Sequence, residues 1–290
     1  FSYFILLIRL FLFSGLSTIA SARTSQQFLY LQALEAVRSG QSEQARHMRD
    51  QLGSYPLALY VDYYDLYLEP DISKLDAVSA FIAKDPQGLL AGRLTAKYMR
   101  LLASNGQWET LLHFIGKEPK SLGLRCSYYF AKWATGEQQI AYQFADDLWM
   151  HSESRPGECD ALFEQWKLAG LLTAEKVWQR MLLVYPQSKS VNLLNHLSEL
   201  LTGSAYSSKG AVLVQLFLQP EQITTVLPQG RDADTRAMAT MTLQRVAATE
   251  PSLARSLLVE ARQRYGLQEE EVVRVEGSIA RKFMLERTAS

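Results

Sequence analysis

The chain is poor in the residues that metal and redox chemistry draw on: two cysteines and four histidines in 290 residues. None of His47, His113, His151 and His196 lies four residues from another, so there is no His-Glu-x-x-His helix face. Two cysteines without partner ligands do not make a zinc site. Gly-x-Ser-x-Gly, the glycine-rich phosphate loop and the dinucleotide fingerprint are also missing. Their absence removes the usual sequence signals for a serine hydrolase or a nucleotide-dependent enzyme. No metal or cofactor is expected, and no catalytic residue stands out. An excess of one charge is lacking too. Lys and Arg total 30, as do Asp and Glu, so no basic surface argues for nucleic acid or an anionic membrane. Strand patterning is scarce. The apolar run Ala211–Leu218 is short enough for a strand, but its neighbours favour a buried helix.

What is present begins with an apolar N-terminus. Phe1–Ser14 is almost wholly apolar, and Ala20-Ser21-Ala22 has the small-x-small form of a cleavage site. Arg9 interrupts the run and Gly15 and Ser17 end it, leaving it too short and broken for a comfortable membrane span. Residues 1–22 are expected to be a signal peptide, with an uncleaved anchor as the alternative. No initiator Met is present, so the chain is expected to be clipped at its start. Residues 23–290 form the folded part. Export sets the redox environment. An isolated cysteine pair in an oxidising compartment usually bridges, so Cys126 and Cys159 are expected to form a disulfide. Closing a loop of that length contributes roughly 3–4 kcal/mol in the chain-entropy model. The alternative is two separately buried thiols.

Apolar residues make up 48% of the chain, enough for a continuous core. Glycine and proline punctuate it at intervals of one short helix plus a loop, from Gly40 and Pro56 to Pro251 and Gly266. Glycine suits the left-handed position after a helix, and proline the first turn of the next. Ser39-Gly40-Gln41, Asn105-Gly106-Gln107 and Thr135-Gly136-Glu137 read as recurring turns inside helix pairs. Leu253, Leu257 and Ala261 make an apolar stripe, as do Val272, Val275, Ile279 and Phe283, and Ile140, Phe144 and Leu148. The expected fold is all-α, a curved α-solenoid of about 14–16 short helices in which each pair covers the apolar face of the last.

Glycoside chemistry needs a carboxylic acid held in an apolar pocket beside the scissile oxygen. Asp146 and Asp147 are adjacent on a helix and so point in different directions. Glu153 sits in a polar turn before Pro156. Glu269, Glu270 and Glu271 open a helix, where acidic residues suit the positive end of the dipole. None of these is expected to be catalytic. Tyr60, Tyr63, Tyr64 and Tyr67 lie at helical spacing and are expected to pack one helix pair on the next rather than stack on sugars.

One family resemblance covers nearly all of the chain after residue 22. Cys126-x-Tyr128-Tyr129-x-Ala131-Lys132-Trp133-x-Thr135-Gly136, followed by Leu148-Trp149 and Cys159-Asp160, resembles the soluble lytic murein transglycosylases of Gram-negative bacteria. Tyr55-Pro56-Leu57 with Tyr60 and Tyr63, Asn105-Gly106-Gln107-Trp108, Thr235-Arg236-x-Met238-Ala239 and Arg281-Lys282-Phe283-Met284 are similar to it in the same order. The resemblance implies a periplasmic protein with a ring-forming superhelix, a linker and a lysozyme-like domain. It implies cleavage of the β-1,4 bond between N-acetylmuramic acid and N-acetylglucosamine in peptidoglycan, with a 1,6-anhydro product. Peptidoglycan strands, and other cell-wall enzymes, are the implied partners. The family's catalytic glutamate in a Glu-Ser motif has no counterpart here, because Ser152-Glu153-Ser154 falls inside the superhelical match. The chain is therefore expected to be the non-catalytic front part of such an enzyme. The other reading is a stand-alone periplasmic solenoid that binds a protein or glycan.

Overall fold

Local chemistry sets the turns. The glycines of the three predicted turns, Gly40, Gly106 and Gly136, have φ of 71°, 66° and 101°. At Gly106 the reversal is a Schellman closure. The Gln107 N–H donates to the Leu102 carbonyl at 2.9 Å and the Gly106 N–H to that of Ala103 at 3.1 Å. Two orphan carbonyls at the helix end are satisfied in this way, and a side chain at the left-handed position would be strained. Pro251 stands in the first turn of its helix, where a missing N–H costs nothing.

A computed structural model describes residues 25–288; the expected signal peptide lies outside the described residues. Regular structure among the described residues is helical, with no strand. The described residues divide into two compact units, one up to Gly136 and one from Glu137 onward. The first holds α1 (25–38), α2 (Ser42–Leu52), α3 (Ala58–Leu68), α4 (Leu75–Lys84), α5 (Leu89–Ser104), α6 (Trp108–Ile115) and α7 (Leu122–Ala134). The second holds α8 (Gln138–Trp149), α9 (Asp160–Leu168), α10 (Ala174–Val184), α11 (Asn192–Leu200), α12 (Ser207–Leu218), α13 (Ile223–Val226), α14 (Ala233–Thr249), α15 (Pro251–Tyr265) and α16 (Glu269–Thr288). Short 3-10 turns at Ile72–Lys74, Gly157–Cys159 and Pro220–Gln222 lead into α4, α9 and α13.

Packing within the first unit is serial. One apolar cluster joins Ala33, Val37, Ala45, Leu52 and Val61. The next joins Tyr63, Val78, Phe81, Leu94 and Tyr98, and a third joins Met99, Leu102, Leu111 and Ala131. α3 closes the first cluster and opens the second, and α5 joins the second to the third in the same way, as solenoid logic requires. In the second unit α10 packs on α11 and α11 on α12, and α14, α15 and α16 pack mutually. The all-α helix-pair expectation holds in both units, and Ala211–Leu218 is part of α12.

Two of the predicted stripes are rotated from the true buried face. Phe144 is buried as expected, but Ile140 is 47% exposed and α8 buries Ala141, Ala145 and Trp149 beside Phe144. On α15, Leu253 and Leu257 are half-buried, while Ala254, Leu258, Ala261 and Tyr265 are buried. The α16 stripe is buried at Val272, Val275 and Ile279. Helical periodicity fixes spacing, but neighbouring helices decide which of two adjacent rows faces inward.

Tyrosine hydroxyls tie separate helices together. Tyr98 on α5 donates to the Leu66 carbonyl of α3 at 3.0 Å. Tyr185, just past α10, donates to the Leu216 carbonyl of α12 at 3.1 Å and lies 3.0 Å from Thr242 Oγ1. Tyr265 on α15 reaches the Ile223 and Leu227 carbonyls at 3.0 and 3.2 Å. All three rings are fully buried. The Leu66 and Leu216 carbonyls lie near the C-termini of α3 and α12, and the Leu227 carbonyl just past α13, where the intrahelical ladder runs out of donors. Of the tyrosines expected to pack, Tyr63, Tyr64 and Tyr67 do so, while Tyr60 is 38% exposed. Tyr63 is buried, with ring centroids 5.1 Å from those of both Tyr64 and Tyr67.

Candidate functional site

The second unit contains a cavity of about 350 Å³ between the end of α8, the loop after it, and α9, α10 and α11. Its floor is aromatic. The Trp149 ring meets Phe163 at 5.5 Å and Trp166 at 5.8 Å, and its indole N–H donates to the Lys176 carbonyl at 3.2 Å. Over this floor lies Arg180, only 4% exposed, its guanidinium carbon 4.3 Å from the centre of the Trp149 ring. Helical spacing explains why an arginine is there. Arg180 falls three residues after Val177 and four before Val184, on the buried face of α10.

The loop following α8 supplies acceptors for that guanidinium. Arg180 Nε donates to the His151 carbonyl and Nη2 to the Glu153 carbonyl, both at 3.2 Å. Arg155 returns from the same loop. Its Nε and Nη2 approach the Glu153 carbonyl at 3.4 and 3.3 Å, and Nη2 also contacts His151 Nδ1. The Glu153 N–H donates to His151 Nδ1 at 3.1 Å, so that ring nitrogen is an acceptor. Burial, and then the neighbouring Arg155 charge, push the Arg180 guanidinium down to about 10. Burial also lowers Arg155, more than the Glu153 carboxylate raises it. Among the described residues, neither guanidinium has a carboxylate within ion-pairing distance.

This arrangement can bind; it has no group placed for glycoside cleavage. Among the described residues no Asp or Glu side chain is buried. Glu164 is exposed and 3.5 Å from Lys167. Asp146 is ion-paired with Lys176, and Asp147 is exposed. Glu153 is exposed and takes part through its backbone. Glu271 closes a capping box at the start of α16, accepting the Gln268 N–H at 2.6 Å. His47 contacts Gln51 at 2.9 Å, and His196 lines the cavity. Among the described residues no cluster of three or more metal-ligand side chains forms, and no helix is long and apolar enough to cross a membrane. Cys126 on α7 and Cys159 in the turn before α9 are both buried, and both are disulfide-bonded.

Sequence reasoning brought Trp149 and Cys159 to attention but missed Arg155 and Arg180. No short motif marks an arginine that binds loop carbonyls 27 and 29 residues away. One signal was available: a lone charge in the apolar row of α10 between two valines.

No family model matches the chain. It is nevertheless similar over most of its length to known proteins. The soluble lytic murein transglycosylase of Salmonella typhimurium is 27% identical over 270 residues, 91% of this chain and 41% of the relative. Its counterpart from Escherichia coli K12 is 26% identical over the same span. The crystal structure of the 70 kDa soluble lytic transglycosylase of Escherichia coli superposes with a TM-score of 0.79 at 26% identity, covering 90% of this chain and 42% of that one. An inactive mutant of the lytic transglycosylase Slt from Pseudomonas aeruginosa gives 0.71 at 29% identity, covering 87% and 41%. The chain thus spans about two-fifths of the length of the relatives it matches, and the matched portion is their helical part. The all-α fold is of the same superhelical type as theirs.

Proposed function

We propose that the chain is the non-catalytic superhelical module of a soluble lytic murein transglycosylase. The whole enzyme would cleave the N-acetylmuramic acid–N-acetylglucosamine bond of peptidoglycan and leave a 1,6-anhydro product. The observation that carries the reading is identity of 26–29% together with TM-scores of 0.71–0.79 across nine-tenths of the chain, all against enzymes of this one activity. In this reading residues 1–22 direct export to the periplasm, and Cys126 and Cys159 bridge to each other there. The module's task is to place a catalytic domain on the glycan strands. It takes no part in bond cleavage, consistent with carboxylates that are exposed or engaged in ion pairs and caps.

Murein sacculi test the reading. Purified residues 23–290 should sediment with sacculi and release no soluble muropeptides, while an enzyme that joins them to a lysozyme-like domain should release 1,6-anhydro products. Anhydro products from residues 23–290 alone would show that a catalytic acid lies within them, with Glu153 and Glu164 the first to replace. A fragment that ignores sacculi but captures a protein partner would favour the stand-alone solenoid instead.

A further inference from the structure

The cavity over Trp149 is lined by two guanidiniums, and among the described residues neither is ion-paired with the exposed carboxylates nearby. Arg180 uses two of its five N–H groups on loop carbonyls and lines the cavity with the rest. Arg155 lies beside it and adds to the burial that lowers Arg180's preference for charge, while Arg155 is itself lowered by burial. A buried, positively charged group normally has a partner, because an ion taken out of water and left unpaired is costly. Here the partner is missing from the described chain while space for one is present. His196, from α11, faces the same space.

We propose that this cavity binds a carboxylate borne on a short aliphatic group. The planar guanidinium fork matches the paired oxygens of a carboxylate or a phosphate. The choice of a carboxylate rests on Asp160 and Glu164 in the lining, which repel a dianion more than a monoanion, Glu164 being offset only partly by Lys167 at 3.5 Å. The aliphatic part follows from the apolar share of the lining, Phe163, Leu172, Leu193 and Leu200. A volume of about 350 Å³ is at the small end of ligand pockets, enough for a peptide's last residue or a small free acid. The proposal is independent of the murein reading: it rests on the second unit alone.

Titration of the purified protein decides it, followed by the indole N–H signals in two-dimensional NMR and by calorimetry. The probes are N-acetyl-Ala-Ala, its C-terminal amide, propionate and inorganic phosphate. The dipeptide acid should bind, shift the Trp149 indole signal and compete with propionate, while the amide leaves the signal unmoved. Tighter binding of the dipeptide acid than of propionate identifies a peptide C-terminus as the source. Equal binding identifies a free small acid. Arg155→Gln, at a half-buried position, should fold normally and weaken the acid about tenfold, as expected for one charge-assisted hydrogen bond. Arg180→Lys keeps the charge but loses the fork, and should weaken it at least as much. The proposal fails if the amide binds as well as the acid, if phosphate binds more tightly than either carboxylate, if no probe shifts Trp149 at millimolar concentration, or if folded Arg155→Gln binds like the parent.

Discussion

Arg49 in the first unit and Arg180 in the second are both held by two hydrogen bonds, yet they are in opposite electrostatic states. Arg49 donates from Nε and Nη2 to the two carboxylate oxygens of Asp62, at 2.7 and 2.9 Å, with both side chains about a quarter exposed. That bond raises Arg49, and the charge is neutralised where it sits. Arg180 donates to two neutral carbonyls, is buried, and is lowered by burial and by Arg155. A fork filled by a carboxylate is a finished structural contact. A fork that holds only carbonyls retains its full charge and the capacity to take an anion. Geometry alone would class the two arginines together; the identity of the acceptor separates them.

The largest expected effect in this comparison is at Arg180. Replacing it by Ala removes both bonds to the loop and the cation–aromatic contact over Trp149, and should destabilise the second unit by about 2–3 kcal/mol. Relief of the buried charge offsets part of the loss, which keeps the figure below that of a large core truncation. Urea unfolding measures it. A loss no greater than that of Arg49→Ala would mean that Arg180 does not organise the loop. A gain in stability would mean that its charge is a burden retained for binding.

The same contrast can be put to neutral donors. Tyr98 and Tyr185 each bond a carbonyl near the end of a neighbouring helix, but Tyr185 is pushed further, up to about 12, by burial. Tyr185→Phe should cost about 1–2 kcal/mol, since the Leu216 carbonyl loses its side-chain donor in a dry environment. The pH dependence has a definite sign. The folded state holds the phenol protonated beyond the point where the unfolded chain ionises at about 10. The contribution is therefore intact below pH 10 and is lost as pH rises towards about 12, by up to about 2 kcal/mol. The Phe variant should show a shallower alkaline loss. Identical alkaline curves for parent and variant would remove Tyr185 as the cause.

The residues that were legible in the sequence are those whose structure is decided locally. Gly40, Gly106 and Gly136 announce their turns because a left-handed backbone selects glycine within a few residues of a helix end. The two cysteines were legible through their rarity and through the expected oxidising compartment. Ile140 and Leu253 were misread because adjacent rows on a helix have similar hydrophobicity, and tertiary neighbours choose between them. Arg155 and Arg180 were not legible as a pair. Their proximity depends on how the loop after α8 folds back onto α10, which no local pattern encodes.

The smallest expected effect is at Arg49. Its bond to Asp62 is bidentate but partly solvated, so water competes for both partners. A double-mutant cycle with Arg49→Met and Asp62→Asn should give a coupling of about 0.5–1 kcal/mol. It should shrink between low and high salt, because mobile ions reach a pair at this exposure. Arg180 offers no such cycle, for lack of a carboxylate to remove, and loss of its bonds to buried loop carbonyls should vary little with salt. A coupling above about 2 kcal/mol at Arg49, insensitive to salt, would mean that the pair behaves as a buried one. The two arginines would then differ only in acceptor, and exposure would drop out of the explanation.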